Sequence, residues 1–148
     1  MAKRFFYIDT CIWLNLFKRE IGISAERPFW SIAEEFIEKV IFSDKAEIIY
    51  SGLILNELKF KINNENIFRE KSNLFKQEEK FRFVDIKKED YSIARKLESQ
   101  SDFNLSFYDC LHIAICKRLD LVLVTRDKRL LEFAKKQIVA GKPEDFLV

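Results

Sequence analysis

The sequence predicts an α/β protein of three layers, with helices on both faces of a central, mostly parallel sheet of four to five short strands, and about seven helices in all. Three observations lead there. Short β-rich runs alternate with segments of helical period, and these runs are apolar throughout rather than alternating, as strands buried on both faces are. Only three Gly and two Pro interrupt 148 residues, so no linker or repeat divides the chain, which reads as one domain over 1–148.

The strands are Phe5 to Ile8, Glu47 to Tyr50, Phe81 to Ile86 and Leu121 to Val124, each too brief and too apolar for an exposed hairpin, with a fifth expected near Ile138-Val139. Helical periods, several with apolar residues at i, i+3 and i+4, cover 10–20, 29–43, 52–63, 65–79, 88–101, 106–119 and 128–137. In such folds a ligand sits beyond the carboxyl ends of the strands, where helix N-termini converge. Function is therefore to be sought at strand ends.

Composition narrows the class. Apolar residues are 48% and charged residues 34%, the balance of a soluble globular protein rather than a disordered or membrane one. The run Phe5 to Ile8 is far too short for a signal-peptide core or a membrane span, so a cytoplasmic location and no membrane partner are expected. Cys11, Cys110 and Cys116 are an odd number without an export signal, which favours reduced, buried thiols over a disulfide framework. Lys and Arg number 26 against 24 Asp and Glu, so any basic surface must come from local clustering. Fifteen Phe are mostly expected in the core, with a stacking or partner surface as the alternative.

Four acids stand out. Asp9 follows the first strand directly and Asp127 comes three residues after Val124, which puts both at the same sheet edge. Each has an ordinary explanation as a helix cap, and Asp109, three residues after Ser106, has the spacing of a capping box. Glu57 resists that reading, because it shares a helical face with Leu53 near Ile54 and Phe60. A carboxylate on an apolar stripe needs a cation, a donor or a metal, or else takes up a proton; a salt bridge to a lysine is the ordinary alternative. Together, carboxylates converging at one edge repel unless a divalent cation neutralises them, and all-oxygen ligation suits Mg²⁺ or Mn²⁺. Phosphodiester hydrolysis is the chemistry such a site carries.

The blocks Tyr7-Ile8-Asp9-Thr10, Asn56-Glu57-Leu58, Asp109-Cys110-Leu111-His112-Ile113-Ala114 and Val124-Thr125-Arg126-Asp127 resemble, in order and spacing, those of PIN domains, specifically the VapC-like toxin branch. The resemblance extends nearly to the chain's end, at Pro143-Glu144-Asp145-Phe146-Leu147. It implies a PIN-like fold and a metal-dependent endoribonuclease, the toxin of a type II toxin–antitoxin pair, whose acidic quartet maps onto Asp9, Glu57, Asp109 and Asp127 with Mg²⁺ or Mn²⁺. It further implies a supporting contact from Thr125 to the carboxylates or water, an RNA substrate, a cognate antitoxin partner and a homodimer. Cys11 departs from the small polar residue often found two after the first acid.

His112 is read as held in place by hydrogen bonds rather than as a base or ligand, and a zinc site from Cys110, His112 and Cys116 is disfavoured because one helix does not aim them at a point. Arg126, Lys128 and Arg129 are candidates for holding phosphates beside Asp127, with solvated helix charge as the alternative. Glu65 to Lys80 is expected to project, with Phe68, Leu74, Phe75 and Phe81 presenting an apolar groove, and the resemblance implies that an amphipathic antitoxin segment lies there. Two phosphoryl-transfer classes with an Asp at a strand end fit poorly, since aspartyl-phosphate phosphatases want a second Asp where Cys11 stands and receiver domains want a different acid and lysine pattern. A non-catalytic PIN-like scaffold binding RNA or protein, and a DNA-directed nuclease, are the remaining alternatives.

Overall fold

The computed structural model describes residues 3–19, 23–24 and 27–147. Its elements are β1 (Arg4–Ile8), α1 (Thr10–Phe17), β2 (Ile23–Ser24), β3 (Arg27–Pro28), α2 (Phe29–Ile41), β4 (Ala46–Ser51), α3 (Gly52–Ile62), α4 (Glu65–Gln77), β5 (Phe81–Val84), α5 (Lys88–Gln100), α6 (Phe107–Leu119), β6 (Val122–Val124), α7 (Lys128–Ala134) and β7 (Ala140–Gly141). A 3₁₀ turn, Pro143–Phe146, follows.

Five strands form one sheet in the order β5-β4-β1-β6-β7, and every neighbouring pair is parallel. The chain winds outward from β1 through β4 to β5, then returns to the other side of β1 for β6 and β7. Strand order thus reverses at β1, and a crevice opens there, beyond its carboxyl end. β1 is the central strand, and Tyr7 and Ile8 are wholly shielded from solvent. A two-residue pairing of β2 with β3 stands apart and had no strong sequence signal.

Helix starts follow the expected positions closely, whereas their ends fall short: α7 stops at Ala134 rather than 137, and α1 at Phe17. The last expected residue of α1, Glu20, lies outside the described residues. Starts are marked by side-chain caps at Asp9, Asn64, Ser106 and Asp127, and no comparable chemistry marks where a periodic pattern stops.

The fifth strand is displaced from Ile138-Val139 to Ala140–Gly141. Thr125 donates its N–H to the Gly141 carbonyl at 3.0 Å, and a Cβ on Gly141 would lie 3.0 Å from the Phe146 ring. Glycine lets the strand lie under that ring, which also meets Phe6 edge-on at 5.3 Å.

Phe75 and Phe81 are core residues, not groove residues, correcting the expectation for the 65–80 segment. Their rings pack on Trp13 at 4.7 and 5.5 Å. Phe68 and Leu74 are partly buried against the same core. A shallow groove of about 290 Å³ does remain between α1 and α4, where Leu16, Phe17 and Leu74 are flanked by Arg19, Glu70 and Lys71.

α6, which carries Asp109 and His112, is fastened to α5 by an ion pair. Arg118 donates from Nε to Asp90 Oδ1 at 2.7 Å and from a terminal nitrogen to Oδ2 at 2.9 Å, and it also reaches the Asp85 carbonyl at 2.8 Å. Asp90 has no exposed surface. Removing one partner of such a pair strands a buried charge. Arg118→Leu should therefore destabilise the protein by about 3–5 kcal/mol in urea unfolding; a loss below about 1 kcal/mol would mean that the pair does not hold α5 to α6.

Candidate active site

Three strand ends and four helices supply the site. β1 delivers Asp9, whose N–H donates to the Val124 carbonyl at 2.9 Å and so locks the ends of β1 and β6 together. β6 leads into Thr125 and then Asp127, β4 leads through Ser51 into α3 and Glu57, and the first turn of α6 carries Asp109. All four carboxylates line one open cleft of about 820 Å³, with Thr10, Cys11, Leu14, Leu53, Asn56, Phe60, Lys61 and Tyr108.

The capping and site readings of the acids turn out to be compatible. Asp9 Oδ1 accepts from Thr10 N at 2.8 Å as the cap of α1, Asp127 Oδ1 accepts from Leu130 N at 3.2 Å as the cap of α7, and Asp109 closes the capping box with Ser106. Each cap engages one carboxylate oxygen and fixes its orientation while the residue still borders the cleft. Helix N-termini also carry partial positive charge, which favours carboxylates there.

Thr125, fully buried, bridges two of the acids. Its hydroxyl donates to Asp9 Oδ2 at 2.7 Å and accepts from the Asp127 N–H at 3.1 Å. The Cys11 thiol lies 3.4 Å from the same Asp9 oxygen and supplies the polar contact expected of its position. Burial, then the Asp9 charge, push that thiol up to about 12, so it stays a neutral donor.

Glu57 finds its partners in two neutral-capable donors. Thr10 Oγ1 donates to Oε1 at 2.6 Å, and His112 Nε2 meets the same oxygen at 2.9 Å. His112 is 1% exposed, and its Nδ1 lies 2.8 Å from the Tyr7 hydroxyl, which in turn lies 2.8 Å from Ser51 Oγ. A neutral ring with its proton on Nε2 donates to Glu57 and accepts from Tyr7; a protonated ring donates from both nitrogens, and Tyr7 then turns its hydrogen to Ser51. His112 is thus hydrogen-bonded in place, as its position in an apolar helix suggested.

Electrostatics follow from these contacts. Burial alone would raise Glu57, but the His112 hydrogen bond and charge, the Thr10 hydroxyl and the Lys61 charge outweigh it and hold the carboxyl below its ordinary range. Burial would depress His112, yet the Glu57 hydrogen bond and the charges of Asp9, Glu57 and Asp109 lift it. Asp109 is raised, first by burial and then by Asp127 and Asp9, against the pull of Ser106.

A cation fits these residues. Single ligand atoms of Asp9, Glu57 and His112 lie within 4.8 Å of one another, close to the spacing of about 3–4 Å between neighbouring ligands of an ion bound at roughly 2.1 Å. His112 Nε2 is engaged with Glu57, so Asp9 and Glu57 are the oxygen donors of that cluster, a pair that suits a hard divalent ion, whereas Asp109 and Asp127 line the same cleft but fall outside the cluster. Cys110, His112 and Cys116 form no such cluster among the described residues.

The basic candidates separate. Arg126 does not line the cleft: its guanidinium pairs with Glu144 at 2.9 Å and lies 4.1 Å over the Phe29 ring. Arg129 lines a different hollow, with Gln100 and Glu132, and Lys128 is exposed on the first turn of α7. Among the described residues, the cation that does line the cleft is Lys61, four residues after Glu57, a helical spacing that could have revealed it. Thr10 was likewise legible only as the residue beside Asp9.

A family model for the PIN domain matches residues 6–136. The fold is similar to a chain of the FitAcB structure from Neisseria gonorrhoeae, with TM-score 0.67, 15% identity and coverage of 94% of this chain and 98% of that one. It is similar to a chain of VapBC2 from Rickettsia felis bound to a promoter DNA fragment, with TM-score 0.69, 14% identity and coverage of 93% and 98%. It is also similar to VapC20 of Mycobacterium tuberculosis, a toxin described as cleaving the sarcin-ricin loop, with TM-score 0.65, 15% identity and coverage of 90% and 96%. No curated protein matches the sequence. Among the described residues, no helix is long and apolar enough to cross a membrane.

The His112–Glu57 contact makes a signed prediction for the EDTA-treated protein. Because His112 is raised, its share of stability is complete below the unfolded value of about 6.5 and is lost as pH rises through the folded one. Because Glu57 is lowered, its share is present above the unfolded value of about 4.3 and is lost as pH falls through the folded one. The pair should stabilise most between those two unfolded values. Nuclear magnetic resonance should show the lone imidazole titrating above 6.5 and Glu57→Gln bringing it down; a ring indifferent to that substitution would remove the pairing.

Proposed function

This chain belongs to the PIN-domain family, and on that premise we propose that it is a metal-dependent endoribonuclease, the toxin of a toxin–antitoxin pair. The observation that carries the reading is the gathering of Asp9, Glu57, Asp109 and Asp127 around one cleft at the point where the strand order reverses. Carboxylates so placed, with Lys61 the one basic side chain among the described residues of the lining, call for a divalent cation.

Asp9 and Glu57 would hold Mg²⁺ or Mn²⁺, with Asp109 and Asp127 completing the oxygen set. When bound, such an ion supplies Lewis-acid activation of water and offsets the charge that builds on the phosphate. The protein's own residues do the positioning. Thr125 and Cys11 orient Asp9, and Thr10 and His112 take one oxygen of Glu57, leaving Oε2 for the cleft. Lys61 stands on the rim where a phosphate would enter. Water attack at phosphorus with departure of the 3′ oxygen leaves a 5′ phosphate on the downstream fragment.

An antitoxin partner is supported by the solved complexes that share the fold, which include a toxin–antitoxin complex from Klebsiella pneumoniae. The groove between α1 and α4 would seat an amphipathic segment of it. A homodimer and a cytoplasmic location complete the proposal.

Incubation of structured RNAs with Mg²⁺ or Mn²⁺, and with EDTA, should give cuts that need the metal and fall by roughly 100-fold or more in Asp9→Asn, with thermal melts confirming that both proteins fold. Equal cutting by both proteins would assign the activity to contamination. Cleavage of DNA in place of RNA would move the substrate, and binding without any cleavage would favour a scaffold.

A further inference from the structure

The cleft has a second character that catalysis does not use. Phe60, on α3, is 79% exposed, and Tyr108, on α6, is 58% exposed, yet both line the cleft that holds the acids. Large rings left in water are costly, and when they flank a polar centre they mark a binding surface. Phe60 belongs to the helix that carries Glu57, and Tyr108 directly precedes Asp109, so the two rings border the acids from two different helices.

We propose that Phe60 and Tyr108 form a nucleobase-stacking subsite that holds the unpaired bases on either side of the phosphate to be cut. The inference rests on the nuclease reading above. The chemistry of the rim selects the ligand: the acidic floor repels a phosphate unless a cation is present, whereas neutral base faces meet aromatic faces without that penalty. Lys61, beside Phe60, supplies a positive charge for the backbone of the same strand.

The aromatic surface continues past the cleft. Tyr108 meets Phe107 edge-on at 5.7 Å, Phe107 lies parallel to Tyr91 at 6.1 Å, and the Arg95 guanidinium sits 4.0 Å over Phe107. Tyr91 is 46% exposed. A strand whose bases leave Tyr108 therefore meets a further aromatic face next to a guanidinium. Such a track suits single-stranded RNA, because a duplex hides its base faces.

Fluorescence anisotropy of a labelled single-stranded oligoribonucleotide, with the Asp9→Asn protein in Ca²⁺, tests this directly, alongside the same oligonucleotide as a duplex and with abasic sites in place of bases. Single strands should bind more tightly than the duplex; abasic sites, Phe60→Ala and Tyr108→Ala should each weaken binding on the order of tenfold, and Phe60→Trp should restore it. The same substitutions in the otherwise wild-type protein should raise KM more than they lower kcat. Cleavage that persists while binding ignores the bases and both rings would overturn the subsite and leave the nuclease intact. If neither cleavage nor binding of any RNA occurs, the nuclease reading itself fails and takes the subsite with it. If the alanine variants instead dissociate a dimer in sedimentation or abolish capture of an antitoxin helix, the rings are a protein interface and the proposal is wrong.

Discussion

Carboxylates that share one cleft repel each other more strongly as water is excluded from between them, and the whole of this sheet edge is arranged around that repulsion. Three helices, α1, α6 and α7, begin where Asp9, Asp109 and Asp127 stand, so the positive ends of their backbone dipoles face the negative charge. Neutral donors supply the next share: Thr125 and Cys11 on Asp9, Thr10 on Glu57. The remainder is visible as asymmetry. Glu57, beside His112 and Lys61, is held ionised, while Asp109 is pushed toward its protonated form, first by burial and then by Asp127 and Asp9.

The same constraint decides why the site lies where it does. A parallel sheet concentrates helix N-termini at its carboxyl edge, and the reversal of strand order at β1 leaves a crevice there instead of a covered loop. β4 and β6 flank β1, so the residues that follow all three strands are neighbours in space although they are spread from position 9 to position 127.

Much of this was legible in the sequence, and what was not has a physical reason. Short, unalternating apolar runs announced buried parallel strands, and the caps announced helix starts, because both signals are local. The place of β7 was not legible, since it depends on how closely Gly141 can approach a ring five residues on. Phe75 read as a groove residue because a charged helix conceals which of its few apolar positions turn inward, and Phe81, at the start of β5, because an apolar run does not say which face of the strand is covered; only the meeting with Trp13 settles both. Arg126 read as a phosphate ligand from its proximity to Asp127, but sequence proximity could not show that its guanidinium is engaged by Glu144 and Phe29. The four acids were legible as a set because family order and strand ends agree; Lys61 was written in the i, i+4 spacing from Glu57 and is part of the same cleft.

The hydrogen-bonded chain that ends on Glu57 shows how the core governs the cleft. Ser51 closes β4, Tyr7 lies in β1, His112 in α6, Glu57 in α3 and Thr10 in α1, so one run of contacts of 2.6 to 2.9 Å joins five elements. A buried polar chain in which each member is satisfied has few alternative arrangements, because breaking any link leaves a group unpaired in a low-dielectric interior. Glu57 therefore does not search rotamers at the cleft surface. Its Oε1 is committed to Thr10 and His112. Asp9 is fixed in the same way from the other side, by Thr10 N on one oxygen and Thr125 on the other. The two carboxylates nearest the sheet are thus preorganised by hydrogen bonds that originate in the packing of β1 against β4 and β6, and little reorganisation is left to oppose binding. The cost is that like charges are held close together at one sheet edge.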